Sequence, residues 1–526
     1  MDDVLGRVVA VSGSQMRADV TADQLTEASI RIGSMIKVRS ADIEVLGRIS
    51  AAELDSRGSV ARIALSVDLL GEIVTSAEGA TQFHRGVSSH PIPGAPVRAA
   101  TGADLNAVYT RPLTSNVSIG SLYHDATQPA FVLIDELLAK NFAVLGATGS
   151  GKSCAVALMT SAILTDCPNA HIIVLDPHNE YASAFGEQAE LFSIDNLQLP
   201  LWLLDFEEAV GVLVRSGTVQ EQEIQTTILK DAITRARRRH WSDSATSITV
   251  DTPVPFAAAD LLRFIDEAMG KLDNPNTSAP YLRLRARLES LRTDRRYAFL
   301  FSDSVAIRDT LSRIVGRLLR IPVNGKPLTI IDLSGVPAEV TDVVVSLVCR
   351  LIFNFALWSD RKRLPPVLLV CEEAHRYVPA SEPIGFGATS RAITRIAREG
   401  RKYGVSLALI SQTPLELSGQ VLSQCGTVFA MRLGHLDQTF TGAAWPGAAR
   451  GMLEALPSLR TQEAIAFGEG VPLPMHIRFN DLPRDRRPHS DSAKFSEAWQ
   501  SDCGDAELLD EGIRCWREQR RKLPAG

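Results

Sequence analysis

The chain has 526 residues, of which 45% are hydrophobic and 22% are charged. This composition is ordinary for a globular protein and excludes wholesale disorder, and the length predicts about two to four domains. The formal net charge of −6 excludes a generally basic nucleic-acid coat, although it leaves room for local basic surfaces. Seven cysteines without a CxxC pair, and an N-terminus without a basic segment before an apolar core, predict a cytoplasmic protein with reduced thiols.

Residues 1–100 contain short segments in which polar and apolar side chains alternate, as they do in β-strands. The clearest segment is residues 60–69, and residues 30–32 and 36–39 repeat the pattern between glycines. Several short strands at this spacing predict a small barrel or sandwich, and we assign residues 1–100 to an N-terminal β-barrel. Prolines and small residues in 91–122 predict a linker that leads out of it.

The pattern changes to α/β from about residue 131. Four apolar segments without alternation predict buried strands; they are residues 142–145, 171–175, 328–331 and 366–370. The first leads into a glycine-rich turn, and the other three each end at an acidic or polar residue. Such strands between helical stretches indicate a parallel sheet that is covered on both faces. The apolar residues 343–358 predict a buried crossover helix that is too short to span a bilayer, so we expect no membrane partner.

Charged, helix-like sequence interrupts this pattern over about residues 190–325 and predicts a helical insertion. The α/β core would then fall into two parts, residues 101–189 (with the linker) and residues 326–489. The remaining residues, 490–526, are acidic at first and basic at the end, which is typical of a solvated helical tail.

A glycine-rich motif follows the first of the predicted strands and matches GxxxxGK[ST]. Its residues are Gly146, Ala147, Thr148, Gly149, Ser150, Gly151, Lys152 and Ser153. In such a P-loop the backbone N–H groups converge on a phosphate, the lysine reaches the β- and γ-phosphate oxygens, and the final hydroxyl ligates Mg²⁺. The motif therefore predicts ATP and Mg²⁺ as cofactors, with a helix N-terminus at the phosphates.

Two adjacent carboxylates, Glu372 and Glu373, follow the strand predicted over residues 366–370. A P-loop enzyme needs acidic groups at the end of a second strand, to hold the metal and to activate water. We assign Glu372 to Mg²⁺ and Glu373 to the attacking water. Taken alone, a Glu-Glu pair is more typical of a solvated helix start, and only its pairing with the P-loop favours the catalytic interpretation.

Two further polar groups are expected at the same edge of the sheet. Residues 176–181 follow a strand, and Asp176 and Glu180 are candidates for nucleotide binding, with a turn and helix cap at Asp176 as the alternative. Gln412 ends another apolar segment and could position water or sense the γ-phosphate.

Residues 391–402 carry five cations and one anion, at helical spacing. Arg398 or Arg401 could stabilise charge on a transferring phosphoryl group from within the site or across a subunit boundary. The alternative is a solvated helix face.

Together these blocks resemble the HerA family, in the FtsK/HerA branch of RecA-like P-loop motors. The resemblance rests on the P-loop and on the segments 175–181, 331–336, 372–378, 398–404, 411–412 and 456–460, and it covers roughly residues 1–485. It implies a RecA-like core in a homo-hexameric ring that translocates DNA, with ATP sites between protomers. It also implies that Lys140, where relatives commonly have Arg, and Arg401 act on a neighbouring subunit's ATP.

The resemblance leaves two functions open. The first is a ring motor that translocates double-stranded DNA and works with a nuclease or a NAD-consuming effector docked at the N-terminal barrel, in repair or in bacterial antiviral defence. The second is an ATP-dependent assembly platform for an effector, with translocation secondary or absent. Residues 235–240 and 281–297 are basic candidates for DNA contact, with a solvated insertion surface as the alternative.

Overall fold

The computed structural model describes residues 4–21, 23, 30–40, 43–55, 62–75, 81–241, 247–272, 277–301, 309–381, 387–434, 450–488, 496, 499–500 and 506–517. All statements about the structure concern these residues. The acidic Asp502 and Asp505 and the last basic residues of the predicted tail lie outside them.

The N-terminal strands form a closed barrel. They are β1 (Val4–Ser12), β2 (Gln15–Thr21), β3 (Met35–Ser40), β4 (Ile43–Asp55), β5 (Arg62–Thr75), β6 (Thr81–Arg85) and β7 (Pro96–Ala99). The order β2-β1-β7-β3-β4-β5 closes because β2 also pairs with β5, and β6 extends the sheet from β5. Closure removes the exposed strand edges, and alternate residues such as Ala18, Ile36 and Val67 fill the interior.

The segment 91–122, predicted as a linker, is structured instead. Strand β7 pairs with β1 and β3 and closes the barrel. It begins with Pro96, which has no N–H to donate and is tolerated at the first residue of a strand. Helix α1 (Gly102–Tyr109) and strand β8 (Asn116–Leu122) follow, and β8 pairs with the last strand of the core. The linker prediction was therefore wrong, because short strands next to prolines carry almost no periodicity.

The core is an 11-stranded sheet. Its further strands are β9 (Pro129–Leu133), β10 (Asn141–Leu145), β11 (His171–Asp176), β12 (Ala189–Phe192), β13 (Leu328–Asp332), β14 (Val367–Cys371), β15 (Val405–Ser411), β16 (Cys425–Ala430), β17 (Glu463–Gly468) and β18 (Met475–Phe479). The order is β12-β13-β11-β14-β15-β10-β16-β17-β18-β8-β9. Seven strands, from β12 to β16 in this order, are parallel, and the pairs beyond β16 are antiparallel. The α/β class with a barrel and a helical insertion is confirmed, but the sheet is mixed.

Helices cover both faces of the parallel strands. After α1 they are α2 (Ile134–Ala139), α3 (Lys152–Asp166), α4 (Tyr181–Phe185), α5 (Phe206–Leu213), α6 (Val219–His240), α7 (Ala258–Met269), α8 (Ala279–Thr293), α9 (Leu311–Leu319), α10 (Ala338–Trp358), α11 (Gly387–Glu399), α12 (Gly419–Leu422), α13 (Arg450–Leu453) and α14 (Ala506–Arg517). Alternate residues of β10 enter opposite cores: Ala143 and Leu145 pack with α10, whereas Phe142 and Val144 pack with α3.

Helix α10 is the crossover between β13 and β14 that the sequence predicted, but it begins five residues earlier, at Ala338. Its 21 residues are long and apolar enough to span a membrane by length and composition alone, yet 72% of its most apolar window is buried inside the protein. Residues such as Val344 and Leu347 are fully buried. Helix α10 therefore serves as a core helix between the sheet and the helices inserted after β12.

The interval 193–319 is mainly helical, from α5 to α9. These helices share one apolar core with α10, in which Trp202, Leu229 and Leu284 are fully buried. Arg350 of α10 donates to Glu208 of α5 at 2.8 Å and so ties the insertion to the core. The insertion is therefore packed onto the face of the sheet that carries α10.

Candidate active site

The P-loop connects β10 to α3 at the carboxyl end of the parallel strands. Gly149 (φ 76°) and Gly151 (φ 100°) have left-handed backbone conformations that favour glycine. Gly151 precedes the first turn of α3, and Lys152 begins the helix. The Lys152 ammonium is mostly buried and donates to the Ala147 carbonyl at 3.3 Å. The sequence thus folds into a preformed phosphate cradle with a lysine at the helix N-terminus.

Three carboxylates lie close enough to Lys152 to act on its charge. Burial lowers its pKa, and Glu372, Glu373 and Glu180 raise it. These three carboxylates come from two segments, one after β14 and one after β11, which the strand order brings to the same edge of the sheet as the P-loop after β10. The lysine therefore faces both the phosphate loop and the carboxylates on which hydrolysis would depend.

Glu373 lies at the end of β14 in a strained backbone conformation. Its φ of 52° and ψ of 47° are left-handed, which is uncommon for a residue with a long side chain and costs about 1–3 kcal/mol. Such strain persists where the surroundings hold a side chain in a functional direction. The side chain is 5% exposed, its Oε1 accepts from Gln412 Nε2, and its Oε2 has no hydrogen-bond partner among the described residues.

A hydrogen-bond relay joins this carboxylate to the P-loop. Gln412, at the end of β15, donates to Glu373 and accepts through Oε1 from Thr148 Oγ1 at 2.5 Å. His375 Nδ1 lies 3.3 Å from Glu373 Oε2 and 3.2 Å from Ser411 Oγ. Oε2 is therefore the buried Glu373 oxygen whose capacity to accept a hydrogen bond is unused.

Glu372 is buried next to Glu373, and a tyrosine holds its side chain in place. Tyr181 Oη donates to its Oε2 at 2.7 Å. Burial, with a smaller contribution from the charge of Glu373, raises the pKa of Glu372 to about 8, although the Tyr181 hydrogen bond and Lys152 oppose the rise. A cation nearby would favour its ionised form. The oxygen that does not accept from Tyr181 is the one left for a metal-bound water.

The residues present fit ATP with Mg²⁺. The orphaned Glu373 Oε2, the glycine cradle and the Ser153 hydroxyl at the start of α3 are the donor types that a nucleotide-bound Mg²⁺ uses with its waters. No cluster of three or more His, Cys, Asp or Glu side chains able to hold a metal occurs among the described residues. The ion would therefore be shared with the phosphates, with Ser153 and Glu372 on the protein side.

Asp176 is used as a turn cap, which was the alternative interpretation. Its carboxylate accepts from the backbone N–H groups of Tyr181 (2.9 Å) and His178 (3.2 Å). Burial raises its pKa, and those backbone hydrogen bonds oppose the rise. Asp176 therefore positions Tyr181, which in turn holds Glu372. Glu180 is partly exposed and acts on Lys152 through its charge.

The candidate trans-acting cations lie at the opposite, amino end of the strands. Lys140 immediately precedes β10 and pairs with Glu469. Arg398 lies in the last turn of α11, and Arg401 lies in the 3-10 turn that leads into β15. Asn141 Nδ2 donates to the Ala397 carbonyl at 2.9 Å, which places these segments side by side. The five residues of β10 separate this end from the P-loop by about 17 Å, so Lys140 does not reach the P-loop of its own chain.

Several residues at the site escaped the sequence analysis. Thr461 Oγ1 donates to the Gly149 carbonyl at 3.3 Å, and the Gln462 N–H donates to the Ser150 carbonyl at 2.9 Å. The Arg432 carbonyl accepts from the Ala147 N–H at 2.8 Å. None of these three residues had a sequence signal of its own. The neighbouring segment 456–460 was part of the family resemblance, but it did not reveal the contact with the P-loop.

The two predicted basic patches are largely paired within the insertion. Arg235 pairs with Glu267, and Arg239 with Asp260. Arg237 is buried and donates to the backbone carbonyls of Thr252, Trp202 and Leu204. Further pairs hold the second patch: Arg283 with Glu221, Arg285 with Asp266 and Arg296 with Asp294. The structure therefore favours the alternative, an insertion surface, for both patches.

The central part of the chain is similar to a known family. Residues 117–352 match the family described as "Helicase HerA, central domain". The DNA double-strand break repair helicase HerA of Saccharolobus solfataricus is 26% identical over 402 residues, or 74% of this chain and 73% of that protein. The protein of the same name from Pyrococcus furiosus is 24% identical over 377 residues, which is 66% of each chain.

A similar fold occurs among solved structures. VirB4 of Thermoanaerobacter pseudethanolicus has a TM-score of 0.50 and 17% sequence identity, and the match covers 72% of this chain and 99% of that one. This similarity concerns the fold alone. With the P-loop and the paired carboxylates, these matches identify the chain as a helicase-type ATPase whose central part is similar to the HerA family.

Proposed function

We propose that this chain is an ATP-hydrolysing ring motor that translocates double-stranded DNA with a partner effector. The observation that carries the proposal is the relay from Thr148 through Gln412 to Glu373. It connects the P-loop to the carboxylate that would activate water. A change of the bound nucleotide that moves the P-loop would therefore also move the end of β15. The relatives, whose names describe helicases of DNA double-strand break repair, supply the expectation of DNA as the substrate.

The proposed chemistry assigns one task to each group. Backbone N–H groups of the P-loop and Lys152 bind the β- and γ-phosphates. Glu373 Oε2 accepts the proton of the attacking water, and Gln412 orients that carboxylate. Mg²⁺, when bound, would neutralise phosphate charge, with Ser153 and Glu372 as its protein-side partners. Tyr181 keeps Glu372 in place.

A ring of identical subunits completes this site. Arg398 and Arg401 are exposed and have no ion-pair partner in the described part of the chain. With Lys140 they lie at the end of the sheet remote from their own P-loop, so a contact with phosphate requires the ATP of a neighbouring protomer. This arrangement supports a homo-oligomer, and we propose a hexamer as the family resemblance implies.

An effector partner would act with this chain in one of two ways. A nuclease or a NAD-consuming effector at the barrel would make the chain a motor in repair or antiviral defence. In the second candidate function, an assembly platform, ATP binding organises the effector without translocation. The closed barrel, which carries no ATPase residue, favours a docking role in both.

DNA translocation separates the two functions. A motor should hydrolyse ATP faster when double-stranded DNA is added and should displace a protein roadblock from the duplex in an ATP-dependent way. An ATPase that is indifferent to duplex DNA and leaves the roadblock bound would contradict the motor, and retained effector activation under those conditions would favour the platform.

A further inference from the structure

A cavity of about 630 Å³ lies between the barrel and the ATPase core. Its barrel wall includes Met35, Arg48 and Ser50 of β3 and β4, and its core wall includes β18 and the segment 455–465. The volume is within the range of small-molecule sites. The residues of the P-loop and the two catalytic carboxylates do not line it, so the cavity is separate from the nucleotide site.

Arg48 is a buried cation in this cavity, and one of its nitrogen atoms lacks a hydrogen-bond partner. It is only 6% exposed, and its Nη1 donates to the Pro474 carbonyl at 2.9 Å, across the boundary between barrel and core. Its Nη2 has no hydrogen-bond partner among the described residues. Asp68 lies opposite on β5, and its charge opposes the lowering of the Arg48 pKa by burial. No hydrogen bond joins the two side chains, because Asp68 Oδ1 accepts from Gln15 and its Oδ2 has no hydrogen-bond partner among the described residues. A buried guanidinium with an unfilled hydrogen-bond position is costly, and an anion that accepts at this position would lower that cost.

The carboxylates that line the cavity are already occupied. Glu463 accepts from the Arg460 N–H at 3.0 Å and lies 3.6 Å from His476. Asp125 accepts from the hydroxyl and backbone of Thr127. Burial and the charge of Arg48 lower the pKa of His124, which therefore stays neutral at pH 7. Arg48 is thus the buried cation at the cavity wall that keeps an unfilled hydrogen-bond position.

The cavity also offers an aromatic wall. Tyr123 stacks on His476 with ring centroids 4.0 Å apart and planes 11° from parallel, and Tyr123 is 45% exposed. Apolar residues of both domains, such as Met35, Ile49 and Met475, form much of the remaining lining. A flat apolar body with one anionic group matches this combination of an aromatic ring, apolar walls and one buried arginine.

The core wall of the cavity is continuous with the P-loop. Glu463 and Arg460 line the cavity, and the two residues between them, Thr461 and Gln462, make the hydrogen bonds to Gly149 and Ser150. A ligand that moves or stiffens residues 460–463 therefore acts on the phosphate cradle through two residues of backbone.

We propose that this cavity binds a small aromatic anion, a carboxylate or a phosphate monoester, which pairs with Arg48, joins the barrel to the core and regulates ATP turnover at the P-loop. The regulatory part rests on the proposed ATPase function, whereas the binding part does not. A carboxylate and a phosphate share the chemistry that Arg48 recognises, and the experiment distinguishes them.

Binding is tested in the full chain carrying Lys152→Ala, so that the P-loop does not capture the probe. Phenyl phosphate, benzoate, inorganic phosphate and neutral phenol are titrated, and the melting temperature is followed. We expect a saturable rise with phenyl phosphate or benzoate and none with phenol. Adding Arg48→Met should weaken binding about tenfold or more, whereas Arg17→Met, at an exposed arginine of the barrel, should leave it unchanged.

Four results would overturn the binding site. They are the absence of a saturable rise with both aromatic anions, a rise of equal size with phenol, a rise with inorganic phosphate alone, and unchanged affinity in a folded Arg48→Met chain. If Arg48→Met does not fold, Ser458→Trp, which fills the cavity from its core wall, must abolish binding. In the wild-type chain, the bound probe should change ATP hydrolysis at saturating ATP at least about twofold. Binding without that change would overturn the regulation and leave the site standing.

Discussion

The two ends of the parallel strands carry opposite chemistry. At the carboxyl end, Glu372, Glu373 and Lys152 are buried and connected by hydrogen bonds and charge. At the amino end, Arg398 and Arg401 are exposed and lack ion-pair partners in the described part of the chain. The comparison teaches that one chain brings the P-loop and the acidic groups together but keeps its unpaired cations about one strand length away from them. In the proposed ring, such cations would reach only the ATP of a neighbouring subunit.

The largest expected effect is at the carboxyl end. Lys152→Ala removes the ammonium from the phosphate cradle and should weaken ATP binding about hundredfold or more, because a charge-assisted contact with phosphate is lost. Calorimetric titration measures this directly. The matched variant Lys140→Ala, at the other end of β10, should bind ATP as the wild type does. Comparable losses in both variants would abolish the distinction between the two ends.

Glu373→Gln should separate binding from hydrolysis. The amide keeps the shape of the side chain but cannot accept the proton of water, so ATP binding should persist while turnover falls about 10²–10⁴-fold. Steady-state phosphate release and ATP titration measure the two quantities. Glu187→Gln, at an exposed glutamate of a nearby turn, is the control and should behave as wild type. Normal hydrolysis by Glu373→Gln would refute the assignment of the base.

Arg401→Ala tests the amino end. Turnover should fall about 10²-fold or more with ATP binding retained, since the missing guanidinium stabilises transferring charge only across a subunit boundary. Arg395→Ala, whose side chain pairs with Glu399 on the same helix, should be nearly silent. Mixing Arg401→Ala with Lys152→Ala subunits should restore part of the activity, because some boundaries then combine an intact P-loop with an intact Arg401. No recovery in assembled mixed rings would place Arg401 outside the neighbouring site.

The smallest effect lies away from both ends, at the boundary of barrel and core. Burial, with the charges of His124 and Arg48, lowers the pKa of His476 to about 4, although Glu463 opposes the shift. Between pH 6.5 and pH 4 the unfolded chain binds a proton at His476 that the folded chain does not, so stability is lost as pH falls through this window. Allowing for partial solvent access, we expect a contribution of about 1–2 kcal/mol.

Thermal unfolding against pH measures this contribution. His476→Gln should flatten the loss of stability between pH 6.5 and pH 4, whereas His84→Gln, at an exposed position on β6, should not. Identical pH profiles for the wild type and His476→Gln would show that the histidine is not held neutral.

Much of the fold was predictable because its signals are local. The P-loop needs glycines and a lysine at fixed spacing, and the buried strands are continuous apolar runs, so residues 142–153 could be placed as strand, loop and helix. The closing strand β7 and the antiparallel extension of the sheet were not predictable. Four-residue strands next to prolines carry little pattern, and pairing partners far apart in sequence leave no local trace.

The candidate site shows the same division. Glu372 and Glu373 could be named from their place after a strand, but not the left-handed conformation that aims Glu373, nor the tyrosine that holds Glu372. The basic segments 235–240 and 281–297 misled because sequence shows charge without its partners. Several of their arginines, such as Arg235, Arg239 and Arg283, pair with acids of adjacent helices.

The sequence by itself determined the chemistry of this protein, since a phosphate loop and adjacent carboxylates are recognisable by residue type and spacing. Only the tertiary structure decided which of these groups lie together at the P-loop and which lie at the other end of the strands. The strand order brings Gln412 between Thr148 and Glu373 and leaves Lys140 and Arg401 at the far edge. The formal charge of −6 concealed this arrangement, because electrostatic interactions depend on distance and burial rather than on totals.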